Sequence, residues 1–224
     1  MTSDYVIDQS VKVKILGVFI SSSLSYIHIV NNIVSKVNNR LHTLKKILKY
    51  TDLCTSKMIA NAIIISIFKY SCPILINSET ILINKLNTLL MKCTRPLLGF
   101  QSFKWNTTTV MKKLGWVTVH QMIFTETVNF LHKCIFEGKP ATINELIIFS
   151  LNREQNVRSI RKPLLRDQFN SAKACQSIIP RAIFLYNKLP DDFRTYNCNK
   201  FKKQSKLFIL DNFPNNHIPK NENK

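Results

Sequence analysis

The chain is short of glycine, short of acid and without closely paired cysteines. Four glycines and eight prolines in 224 residues exclude collagen-like and linker-like compositions and leave too few turns for a many-stranded barrel. Four scattered glycines cannot build the glycine-rich loop that cradles phosphates in nucleotide-binding sites. The cysteines at 54, 72, 93, 134, 175 and 198 are spread along the chain, so none forms the close pair of a zinc knuckle or a redox motif. They read as reduced, mostly buried thiols. Residues 1–10 contain Asp4 and Asp8 and lack an apolar run behind a basic start. That pattern predicts no secretory signal and an intracellular location, in the cytoplasm, the nucleus or both.

The shortage of acid has the larger consequence. Thirteen Asp and Glu face 32 Lys and Arg, a formal net charge of +19, and a surplus of that size attracts polyanions. No acidic residue occurs between Asp8 and Asp52. With 45% hydrophobic and 10% aromatic residues, the chain has enough apolar material for a core, and wholesale disorder is excluded. One stretch, residues 58–76, is apolar enough to suggest a membrane span, but it contains Asn61, Ser66, Lys69 and Pro73. A central lysine in lipid is costly, so the stretch reads as a core helix and no membrane partner is expected.

Along the chain, residues 5–7 and 11–15 are β-branched runs joined by Asp8-Gln-Ser10, which predicts a hairpin, with residues 18–20 continuing the second run after Gly17. Ile27, Val30, Val34, Val37, Leu41, Leu44 and Leu48 then recur in steps of three and four, the stripe of one long amphipathic helix. Lys36, Asn39, Arg40, Thr43 and Lys46 fall in a different sector, nearly opposite. Such a helix offers one face to a core and the other to an anion.

A second helix is predicted from the capping pair Thr51-Asp52 to Pro73, apolar on so many sides that a central position is expected. A third runs from Ser78-Glu79 to Gly99, its last turn weakened by Pro96. Next come a short helix ending at Leu114-Gly115 and a longer one opened by Thr118 with Gln121 and stopped at Gly138-Lys-Pro140. Thr142 with Glu145 opens another short helix. From 153 to 206 the chain holds 13 basic residues against four acidic ones with little periodicity, and a final helix is expected over 199–210. The predicted fold class is mainly α: a short N-terminal β-hairpin (1–22), a three-helix bundle (23–100), a further helical region (101–150), a basic, loop-rich part (151–212) and a disordered tail (213–224).

Five signatures in this order resemble the C-terminal part, thumb and beyond, of the reverse transcriptase of non-LTR retrotransposons, the LINE and jockey type. They are Val13-Lys-Ile-Leu-Gly-Val18 followed by Leu24-Ser-Tyr and His28-Ile, and Phe68-Lys-Tyr-Ser-Cys72. Cys93-Thr-Arg95 with Leu97-Leu-Gly99, and Leu114-Gly-Trp-Val-Thr-Val119, continue the series. The most specific is Leu185-Tyr-Asn-Lys-Leu-Pro-Asp-Asp-Phe-Arg194 followed by Phe201-Lys-Lys203. Ser71, Pro96, Thr118 and Tyr186 depart from the family's usual residues.

The resemblance implies that the bundle is thumb-like and that Lys36, Asn39, Arg40, Thr43 and Lys46 contact the template and primer backbone. Leu16 and Gly17 occupy the primer-grip-like position. The family's catalytic carboxylates, which hold Mg2+, correspond to sequence upstream of this chain's first residue, so no catalytic residue, metal ligand or cofactor is expected within it. The implied partners are RNA, DNA or a hybrid duplex, and a polymerase palm acting in trans.

Other readings of single residues remain open. Asp191-Asp192 follows Pro190 and reads as a solvated turn instead of a metal pair. Cys54, Cys72, Cys93 and Cys134 fall on or near apolar helix faces, His120 and His132 read as structural, and Trp105 and Trp116 are either base-stacking or core residues. Arg153, Arg158, Arg161, Lys162 and Arg166 are either a flexible nucleic-acid contact or polar linker. For the whole chain, a structural or protein-interaction relic of a decayed retroelement is the alternative function. A membrane-surface protein using the basic helix is a third.

Overall fold

Residues 12–21 double back at Leu16-Gly17, where both residues take positive φ, 48° and 81°. That is the requirement of the two-residue turns whose twist matches paired strands. In the computed structural model, which describes residues 11–99, 106–143 and 178–213, the hairpin is therefore β1 (Lys12–Ile15) against β2 (Val18–Ser21), with Val13 opposite Ile20 and Ile15 opposite Val18. The predicted turn at Asp8-Gln-Ser10, like the strand at 5–7, lies outside the described residues. Residues 18–20 do not continue the run at 11–15 but reverse it. The domain boundaries near 100 and 150, Trp105, Cys175, the basic residues from Arg153 to Arg166, the helix expected at Thr142 and Glu145 and the tail from 214 on also fall wholly or partly outside.

Eight α-helices follow among the described residues. They are α1 (Ile27–Ile47), α2 (Leu53–Ala60), α3 (Ser66–Ser71), α4 (Thr80–Leu98), α5 (Thr107–Leu114), α6 (Val119–Glu137), α7 (Ile178–Tyr186) and α8 (Cys198–Asn212). The molecule is thus mainly helical with a short N-terminal hairpin. The local signals explain most boundaries. Asp52 accepts the N–H of Cys54 at 3.0 Å to open α2, and Gly115 and Gly138 end α5 and α6 in the left-handed conformation. Thr118 and Gln121 form a reciprocal capping box at the start of α6. Between α2 and α3 the ladder widens into a π-turn over Asn61–Ile65.

α1 packs on β2, on α4 and on the α2–α3 segment, burying Ile29, Val30, Ile33, Val37, Leu41 and Leu44. Val30, Val37 and Leu44 are fully enclosed, each contributing about 1.5–3 kcal/mol by removal from water. The segment Leu53–Ser71 is long and apolar enough to cross a membrane by length and composition. The sequence pattern makes it the central helix, but its Met58, Asn61, Ser66, Lys69 and Tyr70 are exposed; among its apolar residues Ala60, Ile64, Ile65 and Phe68 are buried, and Ile59, Ile63 and Ile67 are half-buried against the core. The central helix is α6, which packs against α3, α4, α7 and α8. Polar bonds fix it from both sides. Asn87 of α4 accepts the Val119 N–H at 2.8 Å, and the Gln121 amide donates to the Phe213 carbonyl at 3.1 Å, beyond the end of α8.

Candidate nucleic-acid interface

Lys36, Asn39, Arg40, Thr43 and Lys46 are all exposed on α1. At about 100° per residue they span a sector of about 120°. Ten residues of rise separate the first from the last, about 15 Å, which matches the axial length of about four phosphates on one strand. Thr43 donates its hydroxyl proton to the Asn39 carbonyl at 3.3 Å, so toward a ligand its oxygen is an acceptor. No acidic side chain stands on α1 to neutralise the three cations.

The buried stripe is turned toward this face compared with the expectation. Ile29 and Ile33 are buried in place of Ile27, which is exposed, and Val34, which is half-buried. The centres of the two sectors are about 110° apart instead of nearly opposite. The cause is the hairpin, which covers α1 on the side of Ile29 and Ile33. Lys36 consequently stands at the rim of the core.

The hairpin turn is clamped at that rim. Tyr70 donates its phenol proton to the Leu16 carbonyl at 2.6 Å, and the Asn32 amide donates to the Gly17 carbonyl at 3.3 Å. Gly17 and Lys36 border one cavity of about 210 Å³ together with Asn32, Ser66 and Tyr70. The structure thus brings Gly17 and Lys36 together. Leu16 is 86% exposed at the tip, and Asn39 to Lys46 continue along α1. Two further cations stand on β1 of the hairpin: Lys12 and Lys14 place their ammonium groups 4.0 and 5.6 Å from the centre of the Phe19 ring. Neither these lysines nor the Tyr70 and Asn32 clamps were singled out from the sequence, because the pairing partner and turn that orient them are tertiary facts.

Among the described residues, His132, His120 and Trp116 are built into the packing. His132 lies between Tyr186 and the backbone of Tyr196, at 2.9 Å from each, and stacks on Phe201 with ring centres 3.8 Å apart. Because the Tyr196 carbonyl can only accept, Nε2 carries the proton and Nδ1 accepts from the Tyr186 phenol. Burial lowers the His132 pKa, with the bond to Tyr196 opposing, so the ring is neutral. His120 contacts Asn84 of α4 at 3.4 Å. Trp116 is buried and donates its indole N–H to Asn61, the first residue of the π-turn, at 2.7 Å.

The five described cysteines are free. Cys72 and Cys134 are buried with thiol pKa values pushed up, chiefly by burial, and burial pushes Cys93 up to about 12. Cys54 corrects the expectation of an apolar face, since it is exposed in the first turn of α2.

Asp191 and Asp192 open a 3₁₀ turn over Asp191–Thr195, where Asp191 meets Arg194 at 3.0 Å and the Asp192 carbonyl accepts from Thr195 at 2.8 Å. Two-metal chemistry needs several carboxylates converging on the ions. Asp191 is engaged with Arg194, both carboxylates are exposed, and no cluster of three His, Cys, Asp or Glu exists among the described residues. The pair does not fit that role, and no metal-dependent step is assigned to it.

Fold and site together define a mainly helical protein with a cationic helix face beside a clamped hairpin turn. No family model, no curated protein and no solved structure matches the chain.

Proposed function

We propose that the chain is a nucleic-acid-binding fragment related to the thumb region of a non-LTR retrotransposon reverse transcriptase, holding template and primer through the α1 face without catalysing polymerisation itself. The observation that supports this most is the acid-free span from residue 9 to 51, which leaves Lys36, Arg40 and Lys46 together on one exposed face beside Gly17. Ammonium and guanidinium groups there neutralise phosphates, and Asn39 adds a neutral donor, the mixture suited to contacting a backbone rather than reading bases. Ordinary mixed surface interleaves both signs.

The test is the affinity of the full chain for a labelled RNA–DNA hybrid as a function of salt. Affinity is expected to fall steeply between low and physiological salt, and Lys36→Glu, Arg40→Glu and Lys46→Glu combined is expected to abolish it while the helical circular dichroism is kept. A flat salt response, or a triple variant that binds as the parent does, overturns the reading.

A second reading, a protein-interaction module, has its own support. Val11, Val13, Ile15, Leu16 and Ile20 are exposed on and beside a two-stranded sheet, an apolar surface of the kind that pairs with another chain, a polymerase palm in trans included.

A further inference from the structure

α3 forms a ridge between concavities. On one side Ser66 borders the cavity beneath the hairpin turn. On the other, Ser66 and Lys69 border a second cavity of about 300 Å³, walled by Asn61 of the π-turn, Trp116, α6 and Lys206 of α8. A third, of about 450 Å³, shares Lys69 and Glu126 with the second and reaches Lys133 and Lys202. The three cavities adjoin one another, the first and second across Ser66 and the second and third across Lys69 and Glu126, and so line up as one grooved surface from Gly17 and Lys36 across the α3 ridge to α8.

The groove is cationic, and its acids are already used. Glu126 meets Lys69 at 3.7 Å and Glu137 meets Lys133 at 3.8 Å. Lys36, Lys202 and Lys206 form no ion pair within 4 Å among the described residues, although Glu126 acts on Lys206 from across the second cavity. Lys57 adds a further charge: a Cβ on Gly115, which lines the second cavity, would lie 3.6 Å from the Lys57 ammonium. Burial, and then the neighbouring charges of Lys69 and Lys57, lower the Lys206 pKa against the pull of Glu126. Cations that repel one another in the folded chain are relieved by a bound anion. Trp116 holds the Asn61 oxygen at 2.7 Å, which leaves the Asn61 amide hydrogens as neutral donors on the same wall. Cavities of a few hundred cubic ångströms admit nucleotide-sized groups one strand wide, not a duplex.

We propose that this groove is a second phosphate track that carries a single nucleic-acid strand across α3, with Lys57 and Lys206 as its central phosphate contacts. The inference rests on the nucleic-acid reading above and deepens it: the α1 face holds duplex backbone, and the groove takes one strand.

The experiment compares a fluorescein-labelled oligo(dT) of about 12 nucleotides with a blunt duplex of equal length, using the full chain. Lys57→Gln with Lys206→Gln is expected to weaken oligo(dT) binding about tenfold and to reduce its logarithmic salt slope by about 1.4, two contacts at about 0.7 each. Blunt-duplex affinity stays at the parent value. Glu126→Gln releases Lys69 and tightens oligo(dT) binding several-fold, a gain that a merely structural role for these lysines does not produce. If neither the lysine pair nor Glu126→Gln changes oligo(dT) binding while the triple variant in α1 loses the duplex, the groove inference falls and the proposed function stands. If the parent binds neither probe, both fall.

Discussion

At the scale of single residues, His132 shows how a polar group is made into core. Both ring nitrogens are matched, Nδ1 by the Tyr186 phenol and Nε2–H by the Tyr196 carbonyl, and Tyr186 stays a phenol because burial lifts its pKa to about 12 against the opposing pull of Arg194. Protonation would place a second N–H against a phenol that now donates to it. Burial depresses the folded pKa of His132 below the ordinary histidine value of 6.5, so the unfolded chain binds the proton more readily. Stability is therefore complete above about pH 6.5 and is lost as pH falls from there through the folded pKa. Urea denaturation at pH 7.5 and 5.5 is expected to show lower stability at the acid pH, and His132→Gln to shrink the difference by removing the titrating ring. Tyr186→Phe, which strips the buried Nδ1 of its donor, costs about 1–3 kcal/mol at pH 7.5. An unchanged pH difference in His132→Gln would remove His132 as its source.

At the scale of elements, the hairpin turn demands glycine for conformation and not for room. A Cβ at Gly17 meets nothing within 4 Å, yet its φ is 81°. Gly17→Ala is expected to lower stability by about 1–2 kcal/mol and to loosen the Asn32 and Tyr70 clamps, read as a lower unfolding midpoint in urea; a midpoint equal to the parent's refutes the strained-turn account. The turn also marks where sequence reading fails. Leu16-Gly17 lacks the Asn-Gly or Asp-Gly signal of such turns, and an apolar residue at positive φ is held there only because Tyr70 and Asn32, far along the chain, bind both carbonyls. Elsewhere the elements are legible wherever local chemistry decides them. The Thr118 and Gln121 capping box, the stops at Gly115 and Gly138, and the helix ending at Gly99 all stand where spacing placed them. The final helix begins at Cys198, a residue before its expected start, because Asn197 accepts the Lys200 N–H at 2.9 Å. α7 gives only a weak sequence signal although Ile179, Ala182, Ile183 and Tyr186 follow a helical period, because Pro180 in its first turn and the surrounding basic residues mask the pattern. The five basic-face residues were legible because α1 is long and its stripe regular. The rotation of that stripe toward Ile29 and Ile33 was not, since it depends on where the hairpin lands.

At the scale of the whole molecule, α6 decides whether the hairpin bundle and the C-terminal helices act as one body. It touches α3 and α4 on one side and α7 and α8 on the other, and apolar residues from Ile29 to Ile209 belong to one buried cluster. The polar ties Asn87 to Val119, Gln121 to Phe213 and Ser205 to Asn129 cross the same joint. With contacts shared across the joint, neither half can lose α6 without exposing core of the other, so unfolding is expected to be a single cooperative transition. Trp116 reports on the joint itself, since its indole bonds Asn61 on one side while the residue leads into α6. In a Trp105→Phe background Trp116 is the sole tryptophan, and its fluorescence in urea is expected to follow the far-ultraviolet circular dichroism with one midpoint. Leu131→Ala, which empties a position 1% exposed in the middle of α6, should lower stability by about 2–5 kcal/mol and move both midpoints down together. A fluorescence transition that separates from the dichroism, or a Leu131→Ala effect confined to one probe, would show two bodies with α6 belonging to only one. The groove across α3, walled from both sides of this joint, would then lack the fixed geometry that its phosphate contacts require.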